Sequence, residues 1–283
     1  MSFFMNFSRL IWPLTALSVL NGCGTYVPEI QEIPGSSVDG QLLVKEIVRN
    51  VHCEVKRAVT YVIDQDKKLA AYNGGVRLAP WLENKWGVTI QLTLTIDEKG
   101  SVNPNLKYTP NPVTALFTLG AGGAVSSQAT RIDTLYSFYT VKDLYLLPKN
   151  CAPANPAQGS FLLESDLKLR QWLVDTVLTS ATGDVRYPSK IDGPLKEDVI
   201  SHEVKFEVDT SGSITPAWTL TLVSINPDAP FLTSSRNRTH DLIITLGPTD
   251  QTSTRAGPVA ASAQLSSAIG LAVANGVKNS LRP

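Results

Sequence analysis

Apolar residues recur along this chain with two different periods, and the change of period separates helices from strands. From Gln41 to about Tyr72 they fall three and four positions apart, as on one face of an amphipathic helix, until Asn73-Gly74-Gly75 stops it. A second helix is predicted from Leu162 to Thr182, ended by Gly183. After each helix the apolar positions alternate with period two, which predicts strands with one buried face.

The strand regions contain an internal duplication. The segment from Asp97 through Gly100 to Pro104 matches the segment from Asp209 through Gly212 to Pro216 without a gap. Asp and Gly favour turns, so Asp97, Gly100, Asp209 and Gly212 are predicted to form the turn of a β-hairpin in each copy. A third strand extends the match at a slightly shorter spacing, with Thr130–Thr140 corresponding to Asn237–Leu246.

Each copy therefore has the order helix, hairpin, strand, and the predicted fold class is α+β. We expect two duplicated helix–hairpin–strand units that form antiparallel sheet or sheets packed by helices, plus a C-terminal helix. The first repeat is predicted over residues 41–150 and the second over 151–250, with a linker and the C-terminal helix over 251–283. Spacing alone leaves open whether the repeats share one sheet.

The C-terminal helix is predicted from Pro258 to Leu281. Its small and apolar residues share one face: Ala268, Ala272 and Gly276 with Leu265 and Ile269. We expect the helix to cover the core. The alternative is that this face binds a protein partner or a second copy of the chain.

Residues 1–22 have the layout of a signal peptide, with a basic start and an apolar run too short to span a membrane. The end of this segment together with the next residue, Leu20-Asn21-Gly22-Cys23, resembles the lipobox of bacterial lipoproteins, although Asn21 departs from it. The resemblance implies acylation of Cys23 and makes residues 23–40 a lipid anchor and tether. Gly24 after the cysteine implies the outer membrane. A simple secreted protein is the alternative.

Two cysteines remain once Cys23 carries lipid, and an exported chain enters an oxidising compartment. Cys53 falls on the face of the first helix opposite its apolar stripe. We therefore predict a disulfide between Cys53 and Cys151, with the segment from Leu147 to Cys151 crossing the outer side of that helix. Two free thiols in a reduced compartment are the alternative.

Composition and motifs argue against most chemistry. With 25 basic and 25 acidic side chains, the chain offers no electrostatic reason to bind nucleic acid. Its three histidines lack metal-ligand spacing, and no nucleophile or cofactor motif occurs, so we predict no metal, cofactor or catalytic residue. His202, His240 and Asp241 could share a pocket if their strands were close. The interpretation we favour is two strand-end histidines bonded to backbone carbonyls.

Several segments together resemble a group of proteobacterial predicted outer-membrane lipoproteins with no assigned activity. They are Cys23–Ile30, Val51–Glu54, Trp86–Leu94, Ala129–Arg131, Ser165–Lys168 and Arg238–Pro248. The resemblance implies a location, on the periplasmic side of the outer membrane, and no catalytic residues. We therefore expect a non-catalytic, lipid-anchored binding or assembly module. The alternatives are a periplasmic hydrolase using His202 and His240, and an accessory subunit of an envelope complex that docks through the C-terminal helix.

Overall fold

The computed structural model describes most of the chain after the tether. The described residues are 27–30, 40–72, 74–108, 119–147, 151, 166–181, 199–214, 218–219, 223–225, 230–250, 252 and 254–280. The predicted signal peptide, Cys23 and most of the tether lie outside them.

The described residues form five helices and eight strands. The helices are α1 (Gly40–Tyr72), α2 (Pro80–Lys85), α3 (Val141–Leu146), α4 (Leu169–Ala181) and α5 (Pro258–Ser280). The strands are β1 (Trp86–Val102), β2 (Asn105–Tyr108), β3 (Leu119–Gly122), β4 (Val125–Thr140), β5 (Ile200–Ile214), β6 (Trp218–Thr219), β7 (Val223–Ile225) and β8 (Leu232–Pro248). Each copy thus has two long strands with two short strands between them.

Both sheets arrange the two copies in the same way. The strand order is β4-β1-β8-β5 in the large sheet and β3-β2-β7-β6 in the small sheet. The α+β class with antiparallel sheet and a C-terminal helix is confirmed. Each sheet takes two neighbouring strands from each copy, so the copies share both sheets.

The predicted turns are wrong. Asp97 and Gly100 lie inside the continuous strand β1, and Asp209 and Gly212 lie inside β5. The chain instead turns back much later in the first copy, between the antiparallel strands β2 and β3. Long-range pairing has overridden the local turn preference of Asp and Gly.

The repeated aspartates have a different role, which supports the duplication. Asp97 accepts a hydrogen bond from the Thr130 hydroxyl, and Asp209 accepts one from the Asn237 side-chain amide. In the alignment of the two copies, Asp209 is the equivalent of Asp97, and Asn237 is the equivalent of Thr130. The same cross-strand contact therefore occurs in both copies.

The chain divides into two compact units that cut across the repeats. The strand unit comprises residues 1–30, 94–132 and 207–239, and the helix unit comprises residues 31–93, 133–206 and 240–283. Each unit takes residues from both predicted repeats, because every long strand contributes one part to each unit.

In the helix unit, α1 follows its prediction closely. Its apolar stripe, including Ile47, Val51 and Val59, is buried, and α1 packs against α4. The helix ends before Gly74 and Gly75, which have φ values of 63° and 87°. Glycine adopts this left-handed conformation without steric cost, so the two glycines favour the end of α1 here.

The second predicted helix is shorter than expected. Residues 166–168 are described and are not helical, and α4 begins at Leu169 rather than Leu162. Lys168, just before the helix, has a φ of 57°, and its backbone N–H donates to the Asp166 carboxylate at 2.9 Å. This local hydrogen bond competes with the helical one and holds the chain outside the helix.

Candidate functional site

The C-terminal helix α5 is fixed at its start by contacts between the end of β8 and the predicted linker. Asp250 accepts hydrogen bonds from the backbone of Thr254 and the guanidinium of Arg255. The Thr252 hydroxyl also donates to Asp250 and, with these other donors, lowers the pKa of its carboxyl. Gly257 passes so close to the carbonyl of Pro248 that a Cβ atom would lie 2.7 Å from it. The entry to α5 is therefore a tight, specified turn.

The inner side of α5 meets the large sheet largely through polar groups. The Gln264 amide donates to the Gln91 side-chain oxygen at 3.0 Å, and both side chains are buried. One turn from the end, the Asn275 amide donates to Asp241 Oδ2 at 3.2 Å. Two apolar side chains of α5, Ala260 and Leu271, are also buried.

Asp241 is the most deeply buried acid of this contact, with 0% of its surface exposed. Lys205 Nζ lies 3.7 Å from its Oδ1 and also donates to the side-chain oxygen of Asn275. A carboxylate removed from water needs such partners, because an unpaired buried charge is costly. Lys205 and Asn275 therefore tie β5, β8 and α5 together at one point.

The outer side of α5 is apolar and lacks charge. Leu265, Ile269 and Val273 follow one another at every fourth position and are 61%, 55% and 60% exposed. Side chains at that spacing lie on one helix face. A Cβ atom added at Gly270 or Gly276 would meet nothing within 4 Å. We call Leu265, Ile269 and Val273 the outer ridge.

The sequence identified this apolar face correctly but assigned it the wrong direction. Leu265 and Ile269 face outward, and the line facing the sheet contains Gln264, Leu271 and Asn275. One side of α5 therefore covers the sheet, and the face that the sequence identified is exposed, so binding of a partner there stays a prediction. The sequence pointed to Asp241 only as a pocket residue and not as a partner of α5, although it is a charged residue directly before an apolar run in a strand buried on both faces.

The proposed pocket of His202, His240 and Asp241 does not form. His240 and Asp241 are consecutive strand residues, so their side chains point to opposite faces of the sheet. Contacts of Ser201 with Thr245 and of Lys205 with Asp241 set the register, which puts His202 about 13 Å from the position opposite His240. A hydrolase that uses the two histidines together therefore has no support.

His202 instead has a structural environment. Its Nε2 lies 3.2 Å from the backbone carbonyl of Leu167, and its ring stacks on Trp172 with centroids 4.8 Å apart. This is the carbonyl-bonded histidine that the sequence favoured. The third histidine, His52, packs against Tyr139, and burial, with a smaller effect from the positive charge of Lys56, lowers its pKa.

The predicted disulfide between Cys53 and Cys151 is present, with a Cα–Cα distance of 5.5 Å. Lys56 Nζ donates to the carbonyl of Leu147 at 2.9 Å, which places Leu147 beside α1 as predicted. Cys53 itself is buried, although it falls opposite the apolar stripe of α1.

The described residues offer little for other chemistry. No three of their His, Cys, Asp and Glu side chains cluster in a way that could hold a metal ion. In the strand unit, an open cavity of about 340 Å³ is lined by apolar residues, two glycines and Asn105, and none of its lining side chains is ionisable. No helix within the described ranges is long and apolar enough to cross a membrane.

Comparison with known proteins assigns no family. No protein-family model matches the chain, and no curated protein matches it. One solved structure, the Salmonella SPI-1 type III secretion injectisome secretin InvG in its open gate state, is 9% identical with a TM-score of 0.13. The match covers 64% of this chain and 62% of that chain, so this chain spans less than two thirds of it. At that TM-score the likeness shows no common fold.

Proposed function

We propose that this protein is a lipid-anchored, non-catalytic assembly module on the periplasmic side of the bacterial outer membrane. The lipobox-like Leu20–Cys23 supports the anchor, and Gly24 supports the outer membrane. The disulfide between Cys53 and Cys151 supports export, because structural disulfides persist in oxidising compartments and are rare in the cytosol.

The placement of the ionisable groups supports a non-catalytic role. Asp241 holds a helix onto the sheet through Lys205 and Asn275, and His202 is occupied by a backbone carbonyl and an indole ring. These contacts stabilise the fold, and they leave the two groups no shared position for a substrate.

The outer ridge of α5 is the observation that carries the assembly role. A terminal helix that exposes its aliphatic residues and turns its amides inward has a surface suited to a second apolar surface. We assign that surface to another protein rather than to lipid. Helices that lie on membranes carry Lys and Arg on their polar side, whereas Lys278 is the only charged residue in α5.

The anchor is tested by palmitate labelling and membrane fractionation of the full chain and its Cys23→Ser variant. The wild-type chain is expected to carry label and to sediment with the outer membrane, and the variant is expected to lose both properties. An unlabelled wild-type chain would contradict the anchor without affecting the ridge.

The assembly role is tested by crosslinked co-purification from native membranes. Ile269→Glu in the outer ridge is compared with Asp175→Lys on the exposed side of α4. The amount of a specific protein partner recovered with the ridge variant is expected to fall at least about tenfold. Burying an unpaired charge in the contact would cost more than about 1.4 kcal/mol. The α4 variant is expected to keep the partner. Equal recovery with both variants would contradict the proposal.

A further inference from the structure

Among the described residues, the large sheet ends in two long strands that have no further strand on their outer side. In the part of the chain that the structure describes, β4 forms one edge of the order β4-β1-β8-β5, and β5 forms the other. Proteins commonly protect an edge with proline or lysine. Neither strand contains proline, β4 contains no lysine, and the lysine of β5, Lys205, is bound to Asp241 and Asn275. A strand at the edge of a sheet can pair with a strand of another chain.

The joint between the two copies shows how a first-copy strand pairs with a second-copy strand. At one end of this joint, the Thr249 N–H donates to the Lys85 carbonyl at 2.9 Å. At the other end, the Asn103 N–H donates to the Phe231 carbonyl at 2.7 Å. The register is therefore constant and antiparallel along the whole of β1 and β8.

The duplication relates this joint to the two open edges. Strand β5 is the second-copy equivalent of β1, and β4 is the first-copy equivalent of β8. The pairing of β1 with β8 thus joins the first strand of one copy to the last strand of the other. The edges that remain open are again a first strand, β5, and a last strand, β4.

We infer that β5 of one molecule pairs with β4 of a second copy of the same chain, in the register that β1 and β8 already show. Each facing pair of residues in β1 and β8 has an aligned pair in β5 and β4. Carrying the register over to these aligned pairs places Ile200 opposite Tyr139 and Ile214 opposite Val125. These four residues are the ends of the two strands to within one position, because β5 covers Ile200–Ile214 and β4 covers Val125–Thr140. The open edges therefore match in length and position.

The side chains brought together in this register are compatible. The charged residues of β5 are Glu203, Lys205, Glu207 and Asp209, and each stands opposite an uncharged residue of β4. Arg131 and Asp133 of β4 likewise stand opposite Val208 and Phe206. No like charges face each other directly, so the pairing avoids that repulsion.

The small sheet has the same order of strands from the two copies. In its order β3-β2-β7-β6, the two copies meet where β2 of the first copy pairs with β7 of the second. These two strands are antiparallel, with Leu106 opposite Ile225. Among the described residues, its edge strands are β3 from the first copy and β6 from the second. Because each molecule presents two different edges, the contact is head-to-tail, and it forms closed rings or open filaments rather than a simple two-fold dimer.

This contact goes beyond the proposed function, since it depends neither on the lipid nor on α5. It is tested with four full-length chains, each carrying one added cysteine: S126C, Y136C, E203C or S213C. Ser126 and Ser213 face each other in the inferred register, and so do Tyr136 and Glu203. Facing Cα atoms in antiparallel strands lie about 4.5–5.5 Å apart, within disulfide range.

Pairs of differently tagged chains are co-expressed, and the envelope is treated with a mild oxidant. S126C with S213C and Y136C with E203C are expected to crosslink at least about tenfold more than S126C with E203C or Y136C with S213C, whose positions are about 33 Å apart. The chain without added cysteine gives the background, and retention of the Cys53–Cys151 disulfide verifies folding. Equal crosslinking of matched and mismatched pairs would overturn the inference, and so would dominant crosslinks between two S126C chains.

Discussion

Removing the disulfide tests the stability of the helix unit and the compartment in which the chain folds. Cys53 and Cys151 are separated by 98 residues, so the bond closes a long loop in the unfolded chain. In the chain-entropy model a loop of this length contributes about 4.7 kcal/mol to the free energy of unfolding. Replacing both cysteines by serine is expected to remove about 3–5 kcal/mol, since measured values scatter around the model.

The assay is equilibrium urea unfolding of the mature domain, followed by tryptophan fluorescence. Cys151→Ser alone is the matched control, because it opens the same loop and leaves Cys53 in place. The two variants are expected to lose similar amounts of stability if loop closure is the cause. Neither substitution removes a partner of the hydrogen bond from Lys56 to the Leu147 carbonyl.

Two results would refute this reasoning. A loss of less than about 1 kcal/mol in the double variant would show that the loop is held by other contacts. Two free thiols in the unreduced protein purified from the envelope would show that the bond does not form, and the support for export would then be lost.

Three further predictions concern single side chains. Gly257→Ala is expected to lower the free energy of unfolding by about 1–3 kcal/mol because its Cβ would clash with a carbonyl 2.7 Å away, whereas Gly270→Ala, in open space within α5, is expected to raise it by up to about 1 kcal/mol. Both are measured by urea unfolding. Asp241→Ala is expected to cost about 2 kcal/mol because Asn275 and Lys205 lose their buried acceptor, and an unchanged urea midpoint would be inconsistent with the contact. Burial, with a smaller effect from the charge of Lys56, lowers the pKa of His52, so the unfolded chain binds the proton more tightly. Stability is therefore expected to fall as the pH drops below about 6.5, and urea unfolding of His52→Gln from pH 7.5 to 5.5 is expected to show a weaker dependence.

The features that could be predicted from the sequence are those set by short-range patterns, by the cysteine content or by the alignment of the two copies. The stripe of α1 and its end at Gly74 follow from helical periodicity and from the backbone freedom of glycine. The disulfide followed from the number of cysteines and an expected oxidising compartment. The duplication was visible because the two copies align residue by residue, and the aligned Asp97 and Asp209 make equivalent contacts in the structure.

Features that depend on tertiary pairing were not predictable in this way. Asp97 and Gly100 have turn propensity, yet a long neighbouring strand keeps them extended. The apolar period of α5 identified a face but not its direction, because Gln264 and Asn275 find buried partners on strands distant in sequence. The order of strands within each sheet follows from pairing between copies, which no single segment specifies.

The central claim is that the outer ridge of α5 contacts another protein in the envelope. The most direct measurement places a photo-crosslinking amino acid at Leu265, Ile269 or Val273 of the full chain in native membranes, with Asp175 on α4 as the control position. The claim predicts one protein adduct of the same mass at all three ridge positions and none at Asp175. Adducts to lipid alone, or the same adduct at all four positions, would contradict it.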